Sequence, residues 1–432
     1  LWFPDLFLFK QNTKLYLGTF MLAPTTAPFL DDVLLDVVTV IELSDHDRQV
    51  AENRYRRLKP HLERPSSPLR EALLNSVSLI YPQGSMAIGA TIVSGTDDDR
   101  FDVDALVDMT TPAHWSDDDV LDKLFEALQG FPDALKIVRR TRCVQMQFAF
   151  MHFDVTILDA ARLPRAERVG EIFHSPDEGN GYRVPSNPFG FSSWFRGNVT
   201  KPTYDFEKAL QSRRRSYGVD RLPSSTIKAE VDQEDLPDVI PTRLDAQQVL
   251  ALKLMKRFLN LRYEKRSIGK PPSIYVTKLA VTAGYNPDGL TSQLERFAAK
   301  VKFEMDTALA ANNGPDERNP SYEPDCINDR WPTSQADRKT LSGDMDYLIN
   351  AIKIARAAEI QDIAKVFDDL FGERVSKRSM ETYAKRVDQT SGREKFKSER
   401  GSGTIIPAVA TAAVAVVREA VATPANRFHC EE

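Results

Sequence analysis

Two stretches in the first half of the chain alternate strictly between apolar and polar residues. From Phe101 to Met109, Phe101, Val103, Ala105, Val107 and Met109 fall on one side of an extended strand. Asp102, Asp104, Leu106 and Asp108 fall on the other. In MHFDVTILDA, Phe153, Val155 and Ile157 oppose Asp154, Thr156 and Leu158. A strand-like run at 143–150 precedes it, so the two are expected to be sheet neighbours. Helical signals take over elsewhere. Ser44 is placed to cap a charged helix that runs to Pro60, and LREALLN predicts a second helix leading into a strand or turn at Gly84. Residues 117–128 read as an amphipathic helix with an acidic first turn. Residues 241–375 read as mostly helical: Leu252, Met255 and Leu259 face a core, and Lys253, Lys256 and Asn260 share another face.

Between these elements the pattern weakens. Pro, Gly, Asn and Ser dominate 176–197 and predict a loop. Its aromatics (Tyr182, Phe189, Phe191, Trp194 and Phe195) would pin it to the core or stack on a base. The run Arg213-Arg214-Arg215 reads as a solvated helix face that could also attract a polyanion. Residues 312–332 read as a long loop, and the chain beyond Gly372 as a charged helix followed by a linker. The apolar run at 404–417 is too short to span a bilayer and reads as an Ala-rich tail helix or a disordered segment. Residues 1–20, broken by Asp5, Lys10 and Lys14, are no membrane span and a poor signal peptide, and are read as lying outside the fold.

Composition narrows the class. A chain of 432 residues with 42% hydrophobic and 28% charged residues is globular and large enough for two domains or one two-lobed unit. A net charge of −5 argues against a protein that coats DNA or RNA, but leaves room for a local cationic pocket. The cysteines (Cys143, Cys326 and Cys430) are odd in number and far apart, which points to a reducing cytoplasm. No Cys/His group has zinc spacing, and the scattered histidines give little support to a histidine-centred hydrolase.

Chemistry concentrates at the first alternating strand. Side chains at i and i+2 share a face about 7 Å apart, so Asp102 and Asp104 project together. Such a pair repels itself unless it is solvated or bridged by cations, and two Mg²⁺ ions about 3.5–4 Å apart are a natural bridge. Alone, D-x-D is more often a wet edge strand. Gly84-Ser85 upstream changes the balance, because a Gly admits phosphate oxygens close to the backbone and a Ser adds a hydroxyl donor. So does Asp154, a charge out of place in a strand of β-branched and aromatic residues.

A Gly-Ser, a D-x-D strand and a lone Asp on a later strand together resemble the polymerase-β-type nucleotidyltransferases. The likeness extends to QGSMAIGAT, LDAQQVLALKLMKRFLN, KPPSIYVTKLA and FGERV, spanning about residues 80–375. It is nearest to the bacterial branch related to cyclic GMP-AMP synthase and oligoadenylate synthase, the CD-NTases of anti-phage signalling. The resemblance implies an α/β (α+β) fold: a mixed sheet with helices, a C-terminal helical lobe, and the active site in the cleft between them. It divides the chain into a catalytic lobe at 21–240, a helical lobe at 241–390, and a linker and tail at 391–432. It assigns Asp102, Asp104 and Asp154 to catalysis and to two Mg²⁺ ions, or Mn²⁺ in their place. It assigns Gln83, Gly84, Ser85, Lys256 and Ser273 to the nucleotide. The implied substrates are nucleoside triphosphates, ATP and a second NTP, and the implied product is a cyclic di- or trinucleotide that reaches a downstream effector. Regulatory proteins encoded nearby are expected partners; a membrane and constitutive nucleic-acid binding are not. The rival readings are a nucleotidyltransferase acting on tRNA, a protein or a small molecule, and a non-catalytic nucleotide-binding scaffold.

Overall fold

The computed structural model describes residues 28–93, 100–160, 168–177, 180–217, 233–234, 245–264 and 266–391, with two short strand pieces at 397–398 and 405–406. The lead at 1–20 and nearly all of 404–417 lie outside the described residues.

Helix α1 (Pro28–Ile41) is followed by α2 (Asp45–Arg56), α3 (Leu58–Leu62) and α4 (Arg70–Asn75). Ser44 caps α2, its Oγ accepting from the Asp47 amide at 3.1 Å. The sheet strands then begin. They are β1 (Leu79–Gln83), β2 (Phe101–Met109), β3 (Lys136–Arg139), β4 (Val144–Gln147), β5 (Met151–Asp159), β6 (Gly170–His174) and β7 (Tyr182–Ser186). A short helix, α5 (Gly84–Ala87), separates β1 from β2, and α6 (Asp117–Leu128) follows β2 behind a Ser116 capping box. The spatial order is β1-β2-β5-β4-β3, with β6 and β7 extending from β5. Among the described strands β2 and β5 pair in parallel, and the other strand pairs of this sheet are antiparallel.

The alternation in β2 becomes two different faces. Phe101, Val103, Ala105, Val107 and Met109 are fully buried with Phe153, Val155 and Ile157 of β5 against α6 and the helices before β1. On the other face Asp102 is exposed, Asp104 is half-buried, and Leu106 and Asp108 are covered. The strand therefore enters a cleft at its first half and passes under protein in its second.

The remaining elements are α7 (Pro188–Asn198), α8 (Tyr204–Ser216), α9 (Gln247–Glu264), α10 (Ser273–Thr282), α11 (Leu290–Ala310), the small hairpin β8 (Arg318–Asn319) and β9 (Tyr322–Cys326), α12 (Gln335–Ala357), α13 (Ile360–Phe371) and α14 (Glu373–Ser391). Helix α9 is the axis of a second core, with nearly every residue from Gln247 to Leu259 buried. Among the described residues no helix is long and apolar enough to cross a membrane.

Three expectations are corrected here. The described part of 176–197 is not a loop: it contains β7 and α7. Asn187 caps α7 by accepting from the Gly190 amide at 2.8 Å, with Pro188 in the first turn. Phe191 and Phe195 are buried there, whereas Tyr182 is exposed and stacks on His174. Second, α1 packs with α9, α11 and α14, so this early segment joins the helical core and not the sheet. Third, the arginine run is not a solvated face. Arg213 and Arg214 are buried: Arg213 pairs with Asp32, and Arg214 with Glu42 and Asp245. The anions are supplied by α1, its end, and the approach to α9, elements whose proximity no local pattern reports.

Candidate active site

Strand register brings the carboxylates together. Because β2 and β5 pair in parallel with Asp104 opposite Asp154 and Asp102 opposite His152, the three acids occupy one corner of the open face. Gln83 lies opposite Asp104 on the other side, so the turn that leaves β1 is set directly over that carboxylate. Gly84 holds this turn with φ +60°, and a Cβ there would come within 2.2 Å of Asp104 Oδ2. Glycine is needed for both the conformation and the space.

The helical lobe closes the other side. Lys256, from α9, donates to Ser85 Oγ at 2.5 Å and to the Ala90 carbonyl at 3.0 Å, tying the lobe to the turn. Ser273 begins α10 behind Pro271 and Pro272. Asp102, Asp104, Asp154, Ser85, Lys256 and Ser273 line a common cavity of about 200 Å³. Gln83 and Gly84 do not reach it. They line an adjoining cavity of about 380 Å³ that shares Ser85, Asp104 and Ser273 with the first.

Lys253 departs from its expected place beside Lys256. It is buried and donates to Glu42 Oε1 at 2.6 Å, within the cluster around Arg214. Three residues advance a helix by about 300°, enough to point two lysines into different surroundings.

Several residues at the site escaped the sequence reading. Lys270 and Asn260 line the smaller cavity, with Lys270 Nζ donating to Asn260 Oδ1 at 2.8 Å. Asn260 lies four residues after Lys256 on the same stripe, the one signal that pointed to it. His152 sits with Nδ1 3.4 Å from Asp102 Oδ1, and the hydrogen bond to Asp102 is the main reason its pKa is raised. Arg142, Asp329 and Arg330 line the larger cavity. They come from the turn between β3 and β4 and from the segment after β9, which carried no motif.

The charges are poorly compensated. Burial, reinforced by Asp154 and then Asp102 and opposed by Lys256, holds the Asp104 carboxyl well above its ordinary value. Asp154 is pushed up to about 6, by burial first and Asp102 second, against a hydrogen bond from Gln145. Lys256 is pushed down to about 8 because burial outweighs the pull of Asp102. Burial also lowers Lys270, again against Asp102. The buried Oδ1 of Asp154 has no hydrogen-bond partner. A buried, unpartnered carboxylate oxygen beside two more acids fits a hard divalent cation. Among the described residues no three acidic, His or Cys side chains converge as a preformed metal cage. Mg²⁺ does not require one, since it is commonly held by one or two carboxylates together with substrate phosphates.

Acids on a rigid sheet, facing cations carried by a separate helical lobe, suit one chemistry well: transfer of a nucleotidyl group from a triphosphate to a hydroxyl. The protein is a nucleotidyltransferase, and comparison with known proteins gives its family. No protein-family profile matches the sequence. The chain is 30% identical over 388 residues to the cyclic dinucleotide synthase CdnG of Bradyrhizobium diazoefficiens, a match covering 88% of this chain and 89% of that protein. The solved structure of that CD-NTase in complex with GTP superposes with a TM-score of 0.69 at 29% identity, covering 82% of this chain and 99% of that one. The chain belongs to the bacterial CD-NTases, the cyclic-oligonucleotide synthases of the polymerase-β-like superfamily.

Proposed function

We propose that this protein joins two nucleoside triphosphates and closes the product into a cyclic dinucleotide, with Asp102, Asp104 and Asp154 holding two Mg²⁺ ions for which Mn²⁺ can substitute. The observation that carries this reading is the parallel register that sets Asp104 beside Asp154, across the cleft from Lys256 and Ser85. The relative's name, a cyclic dinucleotide synthase, favours two nucleotides in the ring, and its complex with GTP favours GTP as one of them.

The cavity lining suggests the division of labour. Ser85, Lys256, Lys270 and Ser273 would hold the donor triphosphate. When bound, the metal ions would neutralise phosphate charge and lower the pKa of the attacking hydroxyl. That hydroxyl oxygen, 2′ or 3′, bonds to the donor's α-phosphorus as the bond to the α,β-bridging oxygen breaks. Pyrophosphate leaves with the electron pair. Asp154, pushed up to about 6, is well matched to accept the hydroxyl proton near neutral pH. Turning the linear intermediate round and repeating the step closes the ring. In this reading the enzyme is cytoplasmic, its product switches an effector in anti-phage defence, and nearby genes encode its regulators.

The test is to incubate the pure protein with radiolabelled ATP and GTP and Mg²⁺, then treat with phosphatase. A small phosphatase-resistant product that requires Asp104 is expected. Label on a macromolecule, or no resistant product under any NTP pairing, would overturn the proposal.

A further inference from the structure

The charged residues that line the larger cavity are Asp104, Asp325, Asp329, Arg142 and Arg330, and the two arginines are not equivalent. Arg142 is fully engaged. Its Nη1 donates to Asp329 Oδ1 at 3.2 Å, its Nη2 donates to Asp329 Oδ2, and its Nε donates to His174 Nδ1 at 3.0 Å. Arg330 is exposed to the cavity and makes no hydrogen bond or ion pair among the described residues. The surrounding protein, and then the Arg142 charge, lower its guanidinium pKa.

The backbone holds Arg330 in this position. Asn328 Nδ2 donates to the Pro315 carbonyl at 2.6 Å and to the Trp331 carbonyl at 3.1 Å. Trp331 is buried, and its Nε1 donates to the Gly269 carbonyl at 3.1 Å. An unpaired guanidinium carried on a backbone pinned in this way can receive an anion with several oxygens, while the Arg142 charge beside it is already matched by Asp329. Its place relative to the acids narrows the choice of anion. Cys143, next to Arg142 in the chain, lies within electrostatic reach of Asp154, Asp104 and Arg330. Arg330 lines the cavity that Lys256 and Lys270 do not, so it is separate from the cations assigned to the donor.

Resting on the nucleotidyl-transfer reading above, we infer that Arg330 binds the 5′-triphosphate of the acceptor nucleotide. It therefore serves the first bond-forming step and not ring closure. In the first step the acceptor is itself a triphosphate: its hydroxyl oxygen bonds to the donor's α-phosphorus, its proton passes to Asp154, and pyrophosphate leaves the donor. In the second step the nucleotide in the acceptor position carries only a diester on its 5′ side. No terminal phosphates remain there for Arg330 to hold.

The step can be isolated with 2′,3′-dideoxy-GTP as a donor that cannot accept, and α,β-methylene-GTP or GMP as acceptors that cannot donate. Dinucleotide formation with Mg²⁺ then reports one transfer. A charge-assisted phosphate contact predicts that the native protein prefers α,β-methylene-GTP over GMP by roughly 10- to 100-fold in kcat/KM. In Arg330→Ala that ratio should fall to near one, and Arg330→Lys should recover part of it, with the melting temperatures unchanged. A ratio retained in Arg330→Ala, or absent from the native protein, would overturn the inference. No dinucleotide from the native protein with either acceptor would instead overturn the nucleotidyl-transfer reading, and this inference with it.

Discussion

Two clusters of charge, one turn apart on α9, are built on opposite principles. At Lys253 the charges are matched. Arg214 donates to Glu42 at 3.0 and 2.9 Å and to Asp245 at 2.8 and 2.7 Å, and Lys253 completes the set on Glu42 at 2.6 Å. At Lys256 they are not matched: three acids share the cleft and one buried carboxylate oxygen has no partner. The first cluster is complete within the chain, so it serves to lock α1, α8 and α9 together. The second is left uncompensated within the chain, and the two-metal proposal above supplies the cations it lacks. Buried charge therefore does not by itself mark a functional site; missing compensation does.

The comparison can be broken most sharply at the acids. Asp104→Asn should reduce product formation by about a thousandfold or more while the protein stays folded, because it removes the central carboxylate of the proposed two-metal site. Near-native turnover in that variant, measured with labelled NTPs, would end the two-metal proposal. Glu42→Gln acts on the matched cluster and should do the reverse. It leaves Arg214 and Lys253 with too little negative charge, so urea unfolding should show a loss of about 3–5 kcal/mol. A loss below 1 kcal/mol would mean that the cluster locks nothing.

pH sharpens the contrast without a mutation. Asp154 has a folded pKa of about 6 against an ordinary 3.8, so its effect on stability is fully favourable below 3.8 and is lost as pH rises through 6. Without divalent ions, stability should therefore fall between about pH 4 and 7. The contribution of this group is on the order of 2–3 kcal/mol. Asp154→Asn should make that slope shallower, leaving the share contributed by the raised Asp104, and added Mg²⁺ should reduce it further. An unchanged slope in the variant would show that the Asp154 pKa is not raised. The smallest effects separate the two lysines. Lys256→Ala should lower kcat/KM for NTPs roughly 10- to 100-fold, whereas Lys253→Met should lower the melting temperature and leave KM nearly unchanged. If Lys253→Met raised KM more than Lys256→Ala, the donor assignment on α9 would be wrong.

What could be read in advance follows from the range of each interaction. The strands β2 and β5 and the helix α6 were legible because alternation and capping are local, and Asp102, Asp104 and Asp154 stood out as charges in strand patterns. Their mutual register was not legible, since parallel pairing joins segments some fifty residues apart through no local signal. Helix α7 was misread because a composition rich in Pro and Gly outweighed the Asn187-Pro188 start signal within it. The arginine run was misread because its partners lie on α1 and near α9, far off in sequence. Lys256 was found by resemblance. Lys253 looked identical by periodicity, and only tertiary packing separates them.

Helix α1 has a consequence for the order in which the molecule can be made. Its buried Asp36 is held by Arg386 of α14 through two contacts of 2.5 Å, from residues 350 positions apart. On a ribosome adding about 5–20 residues per second, α1 waits roughly 20 to 70 seconds for that partner to be synthesised. During the wait the apolar face carrying Val33, Leu34, Val37 and Val38 lacks the last of the helices that cover it. A nascent chain can form the sheet and its acids early, yet the clasp on the lobe that carries Lys256 closes only after α14 emerges. A message broken before that point yields a chain whose first helix is still unclasped.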